Sequence, residues 1–158
     1  MKRKIDVETS VISYQTARPS KTITGAAHQQ LTLAWWKMRG QYDLMVSEVV
    51  MQECGEGDSE SAKRRLEVVR DLLLITEQAI KIAEALIKQR IVPLKAIEDA
   101  LHIAIATAHG VDYLVTWNCR HIANPEIQKR IASYLKKIGV ALPFICTPKE
   151  LLGEENNE

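Results

Sequence analysis

Four side chains that could bind a metal ion through oxygen stand at the ends of predicted strands and helices. Glu8 ends the first predicted strand, and Glu53 lies on a short helix that follows the second strand. Asp99 lies early in a helix that is apolar nearly all round, and Asn118 follows the fourth strand. An acid on a buried helix is costly unless another charge compensates it. The placement of these side chains therefore indicates a metal-dependent site.

The identity of the ion follows from the ligand types. Carboxylates that meet repel each other, and at ~4 Å with an effective dielectric near 20 each pair costs on the order of 4 kcal/mol. A divalent cation offsets that repulsion, and oxygen ligands favour Mg²⁺ or Mn²⁺ over zinc. A zinc site on His102 and His121 is disfavoured, because no second pair of His or Cys has ligand spacing. The sequence predicts Mg²⁺ or Mn²⁺ bound by Glu8, Glu53 and Asp99.

Further side chains are candidates to support these ligands. The hydroxyls of Ser10 and Thr116 could position water or a ligand carboxylate, and a purely structural role for either hydroxyl stays open. Asp6 lies two residues before Glu8 on the same strand face, so it is a further candidate for the site.

Two acids compete for the site on the short helix after the second strand. If that helix begins after Ser47, Glu48 falls in its first turn, where a negative charge interacts favourably with the helix dipole. This gives Glu48 a structural role and leaves Glu53 for the metal.

Basic and imidazole side chains could contact the phosphates of a nucleic acid. Arg120 and His121 follow the polar cluster after the fourth strand, and Lys63–Arg65 form a basic helix face. His121 could instead act as a base. The net charge is only +1 over 158 residues, so a nucleic acid would have to be held by a local patch or by metal.

Short apolar strands alternate with helices along the chain, which predicts a parallel sheet covered on both faces. Right-handed connections would place the first strand beside the fourth and bring the candidate side chains to one carboxyl edge. The predicted strands are Lys4–Glu8, Tyr42–Val46, Leu72–Ile75, Tyr113–Val115 and Phe144–Cys146. The predicted helices are Ala26–Arg39, Ser47–Glu53, Glu60–Val69, Glu77–Gln89, Leu94–Ala108, Glu126–Ile138 and Pro148–Leu152, and Gln15–Gly25 is a predicted loop.

Composition is that of one ordinary globular domain, with 46% hydrophobic and 26% charged residues. We expect a single domain over 1–152 and a disordered tail over 153–158. No apolar run approaches the ~20 residues that span a bilayer, so no membrane association is expected. The cysteines are odd in number and widely spaced, which favours reduced thiols in a cytoplasm.

Four short motifs occur in order along the chain. They are an acid followed by Thr and Ser, an acid after a Ser-x-Val-Val-like run, an Asp that opens an Ala-rich helix, and a strand followed by Thr-x-Asn. The matching segments are Glu8–Ile12, Ser47–Glu53, Asp99–Ala104 and Leu114–Asn118. This order resembles the PIN-domain nucleases, which include the toxins of bacterial type II toxin–antitoxin pairs. The resemblance extends from Ile5 to about Leu152.

The resemblance implies an α/β fold, a three-layer α/β/α sandwich with a five-stranded parallel sheet. It implies a metal-dependent ribonuclease whose acids hold one or two Mg²⁺ or Mn²⁺ ions, which would activate water and stabilise the phosphate transition state. RNA as substrate, an antitoxin as partner and a homodimer are further expectations. Two positions depart from the family pattern: Glu8 stands where the family has Asp, and Asn118 stands where it has a last acid.

Asn118 leaves alternatives open, because it removes a charge from the expected site. The chain could be a PIN-like module that binds nucleic acid or a partner protein with weak or no cleavage. It could also be a toxin whose activity is masked by an antitoxin. A phosphatase that uses a covalent Asp is disfavoured, because the first strand ends in Glu8 and no Asp-x-Asp follows.

Overall fold

Five short strands form one parallel sheet in the structure, a computed structural model that describes residues 1–68 and 71–153. The strands lie in the order β3-β2-β1-β4-β5. Their bounds are β1 Arg3–Val7, β2 Tyr42–Ser47, β3 Leu72–Leu73, β4 Tyr113–Val115 and β5 Phe144–Cys146. All four strand pairs are parallel, and β1 lies between β2 and β4. The predicted neighbourhood of strands one and four is therefore confirmed.

Eight helices and two 3₁₀ turns (Arg39–Gln41 and Leu94–Ala96) connect the strands within the described ranges. The helices are α1 Thr9–Thr16, α2 Ile23–Trp36, α3 Glu48–Cys54, α4 Ser59–Val68, α5 Glu77–Lys88, α6 Ile97–Ala108, α7 Pro125–Lys137 and α8 Pro148–Leu152. One apolar core packs α5, α6 and α7 against one sheet face, and the other packs α1, α2 and α8 against the opposite face. The three-layer α/β/α sandwich is confirmed.

Alternation along β1 separates its side chains between the two cores. Ile5 and Val7 lie in the core with α1, α2 and α8. Because neighbouring strand residues point to opposite faces, Asp6 points to the α6 side of the sheet. Asp6 is nevertheless only 1% exposed, so a carboxyl group is buried in the central strand. The strand thus delivers an acid to the layer that also contains Asp99.

The segment after β1 is the main difference from the predicted elements. It forms α1, which the sequence pattern does not predict, and the predicted loop of residues 15–25 shrinks to six residues. Thr, Val and Ile have low intrinsic helix propensity, so α1 depends on its cap and its packing. Glu8 supplies the cap by accepting the backbone N–H of Ser10, and Val11 and Ile12 are buried.

The helix α3 begins where its sequence predicts. The Ser47 hydroxyl accepts the N–H of Val50 at 3.1 Å, which satisfies one of the free donors of the first turn. Glu48 accepts the N–H of Ile75 at 2.5 Å and so ties α3 to the segment after β3. Glu48 therefore lies in the first turn of α3, as predicted, and also has a hydrogen-bond partner outside the helix.

Apart from Gly153, the predicted tail over 153–158 lies outside the described residues. Val69, the predicted last residue of α4, also lies outside them. Across the part of the chain that the structure describes, no helix is both long and apolar enough to cross a bilayer.

Candidate metal centre

Glu8 holds its carboxylate at the junction of β1 and α1, at the carboxyl edge of the sheet. Its Oε2 accepts the N–H of Ser10 at 2.9 Å, and its Oε1 accepts the Ser10 hydroxyl at 2.7 Å. The hydroxyl of Thr116, just after β4, also donates to Oε1 at 2.5 Å. The side chain is thus held both by α1 and by the residue after β4, which lie together because β1 and β4 are neighbouring strands.

Glu53 approaches the same place from α3. Its Oε1 accepts the Thr9 hydroxyl at 2.5 Å and lies 2.8 Å from Nε2 of His102 on α6. His102 is almost fully buried, whereas the Glu53 side chain is 22% exposed. The pair therefore joins a buried imidazole to an acid that borders solvent.

Three ligand atoms converge as a result. One atom each from Glu8, Glu53 and His102 lies within 4.8 Å of the other two. Two carboxylates and one imidazole are donors that divalent metal ions accept in proteins. The buried Asp6 Oδ1 lacks a hydrogen-bond donor among the described residues, and the Asp6 carboxyl interacts electrostatically with both Glu8 and His102. These residues fit a divalent cation, which would balance the charge they gather.

The electrostatics reflect this concentration of charge. Burial raises the pKa of Asp6 to about 7. The charge of His102 opposes this rise, and the charge of Glu8 adds to it. Burial lowers the pKa of His102, but the hydrogen bond with Glu53 and the charges of nearby acids outweigh burial, so the pKa is raised. Partial burial opposes ionisation of Glu53, yet the His102 contacts and the Thr9 hydroxyl lower its pKa to about 2.

A second polar group lies beside this cluster. Asp99 on α6 accepts the side-chain N–H of Asn118 at 3.0 Å, and its other oxygen lies 3.1 Å from Nδ1 of His121. The backbone N–H of Asn118 donates to the Thr116 hydroxyl at 2.9 Å, and that hydroxyl contacts Glu8. The two groups are therefore joined by a continuous chain of hydrogen bonds.

The geometry thus divides the predicted site residues between two adjoining groups. Glu8 and Glu53 bring ligand atoms within 4.8 Å of each other, while Asp99 pairs with Asn118 and His121. Asn118 also shapes the turn, since its side-chain oxygen accepts the His121 N–H at 3.0 Å.

His102 is the residue that sequence reasoning set aside. It lies three residues after Asp99, so the two side chains share one face of α6. A search for paired His or Cys along the sequence cannot find it, because its partner Glu53 is 49 residues away. The available signal in the sequence is a lone histidine on the helix face that also carries Asp99, an acid that is only half-buried.

The predicted phosphate contacts have different surroundings. Arg64 and Arg65 on α4 donate to the backbone carbonyls of Thr16, Cys54 and Glu56, which fixes them in structural contacts. Arg120 is exposed beside the Asp99 group.

A groove of about 690 Å³ opens next to His121. Arg90 and Arg130 line it together with apolar residues that include Val92 and Leu94. Neither arginine is paired with a carboxylate among the described residues, although Arg130 donates to the Arg90 carbonyl at 3.1 Å. The groove therefore offers positive charge at a position adjoining the Asp99 group.

Aromatic rings pack behind Glu8 and its supporting Ser10. The Trp117 backbone N–H donates to the Ser10 hydroxyl at 2.8 Å. The His28 ring stacks on the Trp117 ring with centroids 4.1 Å apart, and the edge of Tyr14 contacts the His28 ring. His28 is half-buried, because this stack covers its ring.

The comparison with solved structures gives five matching chains, and scans of family models and of curated sequences give no match. One match is to the crystal structure of VapBC2 from Rickettsia felis bound to a DNA fragment from their promoter. The TM-score is 0.55 at 14% identity, and the match covers 91% of this chain and 98% of that chain. With the five-stranded parallel sheet, this similarity shows that the chain has the PIN-like fold that its motifs predict.

Proposed function

We propose that the chain is a cytoplasmic ribonuclease that uses Mg²⁺ or Mn²⁺. The observation that carries the proposal is the convergence of Glu8, Glu53 and His102 at the carboxyl edge of a PIN-like sheet. Ligand sites of open parallel α/β sheets lie at this edge. When bound, a divalent ion supplies positive charge for a phosphodiester and activates water.

The residues of this chain would divide the work. Glu8 and Glu53 hold the ion, and the Ser10 and Thr116 hydroxyls keep the Glu8 carboxylate oriented. Asp99 completes the acid set from the helix that also carries His102. His121, oriented by Asp99, faces the substrate, and Arg120 contacts its phosphates.

The groove beside His121 supports RNA as the substrate. A single strand lying across the Asp99 group would bring its phosphates to Arg90 and Arg130, which favour anionic oxygens. Arg90 has a φ of 57°, the positive value at which glycine normally ends a helix. An arginine at this position costs about 1 kcal/mol of backbone strain relative to glycine, while its side chain would contact a phosphate.

Arg90→Gly separates these two effects. We expect the variant to be as stable as the wild type or up to about 1 kcal/mol more stable in urea unfolding, because glycine adopts positive φ freely. We expect weaker binding of single-stranded RNA in EDTA, with the slope of log K against log salt reduced by about 0.7 for one lost phosphate contact. Lys149→Gln, an exposed charge on α8, is the matched control. An unchanged slope for Arg90→Gly would exclude this groove as the RNA path.

Asn118 favours a second candidate function, a PIN-like module that binds nucleic acid or a partner protein without cutting. The amide donates to Asp99 at 3.0 Å, so an acid at this position would place two carboxylates in contact. If the loss of charge has disabled the site, Asn118→Asp should raise cleavage in Mn²⁺ above that of the wild type. If the wild type cleaves RNA and Asn118→Asp cleaves it more slowly, the chain is not an inactive binding module.

Partners follow from the same proposal. The similar structure is named as a VapBC2 assembly on promoter DNA, and we propose that an antitoxin binds this chain as well and that the chain forms a homodimer. Toxicity on expression, abolished by Asp99→Ala and relieved by the product of an adjacent gene, would support an antitoxin. Light scattering on the purified chain would test the dimer.

The direct test of the proposed function is a cleavage assay on single-stranded RNA with Mg²⁺, with Mn²⁺ and with EDTA. We expect cleavage only with metal, and its loss in Asp99→Asn. Equal cleavage by the wild type and Asp99→Asn, or cleavage that persists in EDTA, would rule out the mechanism.

A further inference from the structure

We propose that His102 is a direct nitrogen ligand of the ion, and that the centre therefore prefers Mn²⁺ to Mg²⁺. The inference rests on the proposed function, since it concerns the ion of the same site. It differs from the acid-only ligand set that the sequence predicts, because an imidazole joins two carboxylates.

The distances between the donor atoms are those of a site that one ion can occupy after small shifts. Bonds from divalent ions to nitrogen and oxygen donors are about 2.1 Å long, so the donors of one ion lie within roughly 4 Å of each other. One carboxylate oxygen each of Glu8 and Glu53 and one ring nitrogen of His102 all lie within 4.8 Å of one another. His102 Nε2 is already 2.8 Å from Glu53 Oε1.

Because His102 is buried, the packing of the fold holds its ring in this contact with Glu53. The residue is 2% exposed and lies on the α6 face that packs over the sheet. Asp6 in the central strand is 1% exposed and carries an oxygen without a donor among the described residues. A buried acceptor of this kind calls for a cation or a donor near it. The carboxyl of Asp6 interacts with His102 and Glu8, so a cation at their cluster would compensate it as well.

The metal preference follows from donor chemistry. Mg²⁺ takes oxygen ligands almost exclusively and keeps several waters, whereas imidazole suits transition-metal ions. Mn²⁺ accepts both carboxylate oxygen and imidazole nitrogen. Of the three protein donors at this site, Mg²⁺ would therefore bind only the two carboxylates, whereas Mn²⁺ would bind all three.

A purely structural role for His102 would look different. In that case the imidazole donates to Glu53 and orients its carboxylate, but never binds the ion. Both roles predict weaker metal binding when His102 is replaced. Only direct ligation places a histidine nitrogen in magnetic contact with the unpaired electrons of Mn²⁺.

Pulsed electron paramagnetic resonance of the full chain with one equivalent of Mn²⁺ distinguishes the two roles. We expect nitrogen-14 modulation from a bound imidazole, which changes when the histidines carry nitrogen-15. The modulation should disappear in His102→Gln and persist in His109→Gln, a control at the end of the same helix whose ring contacts the Leu74 carbonyl. Bound Mn²⁺ without histidine modulation, or modulation lost only in His121→Gln, would overturn the inference and leave the proposed function standing.

Calorimetric titration with Mn²⁺ and Mg²⁺ tests the preference. We expect the wild type to bind Mn²⁺ more tightly than Mg²⁺, and His102→Asp to reduce that ratio by about tenfold or more, a loss typical even of indirect partners of a metal. An unchanged ratio in His102→Asp would contradict the inference. Absence of binding of either ion to the wild type would instead contradict the proposed function itself.

Discussion

Glu53→Gln is expected to lower metal-dependent RNA cleavage by about a thousandfold, since metal-ion stabilisation of a phosphoryl transition state is worth several kcal/mol. The change removes one negative charge from the cluster of Glu8, Glu53 and His102 while keeping the size of the side chain. The amide oxygen can still accept the Thr9 hydroxyl, so the fold around α3 should remain. Single-turnover cleavage at saturating Mn²⁺ measures the effect.

Glu48→Gln is the matched control for Glu53→Gln. It makes the same chemical change on the same helix, five residues away, and affects a carboxylate that accepts the Ile75 N–H outside the cluster. We expect its cleavage rate to stay within about twofold of the wild type, and its stability to fall by about 1 kcal/mol for one weakened charge-assisted hydrogen bond. Equal losses of activity in the two variants would mean that α3 supplies no metal ligand.

The second large effect is the dependence of folding stability on pH, and it arises from Asp6. The pKa of this carboxyl is raised from 3.8 to about 7 in the folded protein, chiefly by burial. Between those values the unfolded chain releases a proton that the folded chain keeps, so unfolding becomes more favourable as pH rises. At about 1.4 kcal/mol per pH unit, the loss of stability between pH 4 and pH 7 is about 4 kcal/mol.

Asp6→Asn should remove that loss. We expect the variant to match the wild type near pH 4 and to exceed it at pH 8 by up to about 4 kcal/mol, because an amide has no proton to release. Urea unfolding in EDTA across this range measures the difference, and EDTA excludes ions that would compensate the carboxylate. Parallel stability curves for the two proteins would show that Asp6 is not buried as described.

Two other titrating groups of the site also make stability depend on pH. The pKa of Glu53 is lowered to about 2, so its contribution to stability is present above pH 4.5 and is lost as pH falls towards 2. The pKa of His102 is raised, so its contribution is present at low pH and is lost as pH rises through that value. The charge of Asp6 is one cause of the raised pKa of His102, so Asp6→Asn also lowers the pKa of His102 relative to the wild type.

The strands were the most predictable part of the fold. Tyr113–Val115 and Phe144–Cys146 match the sequence-based bounds to the residue, because each is a short apolar run between breaking residues. The helix α1 was not predictable from propensity. Its residues Thr9–Thr16 favour strands locally, and the helix exists because Glu8 caps it and the α2 side of the core buries Val11 and Ile12.

The candidate site was predictable where the sheet alone determines it. Glu8 lies at the carboxyl end of β1 and Thr116 just beyond β4, so the order of strands brings both together. His102 was not predictable, because its partnership with Glu53 depends on how α3 and α6 cross above the sheet. Spacing along the sequence carries no information about that crossing, whereas the position of Asp99 one turn earlier indicates which helix face matters.

The most direct test of the central claim is a crystal of the full chain soaked in Mn²⁺, with diffraction data collected for anomalous scattering. The account predicts one strong anomalous peak in contact with the carboxylates of Glu8 and Glu53 and the imidazole of His102. A peak confined to other surface acids, or none at millimolar Mn²⁺ in a well-ordered site, would contradict it.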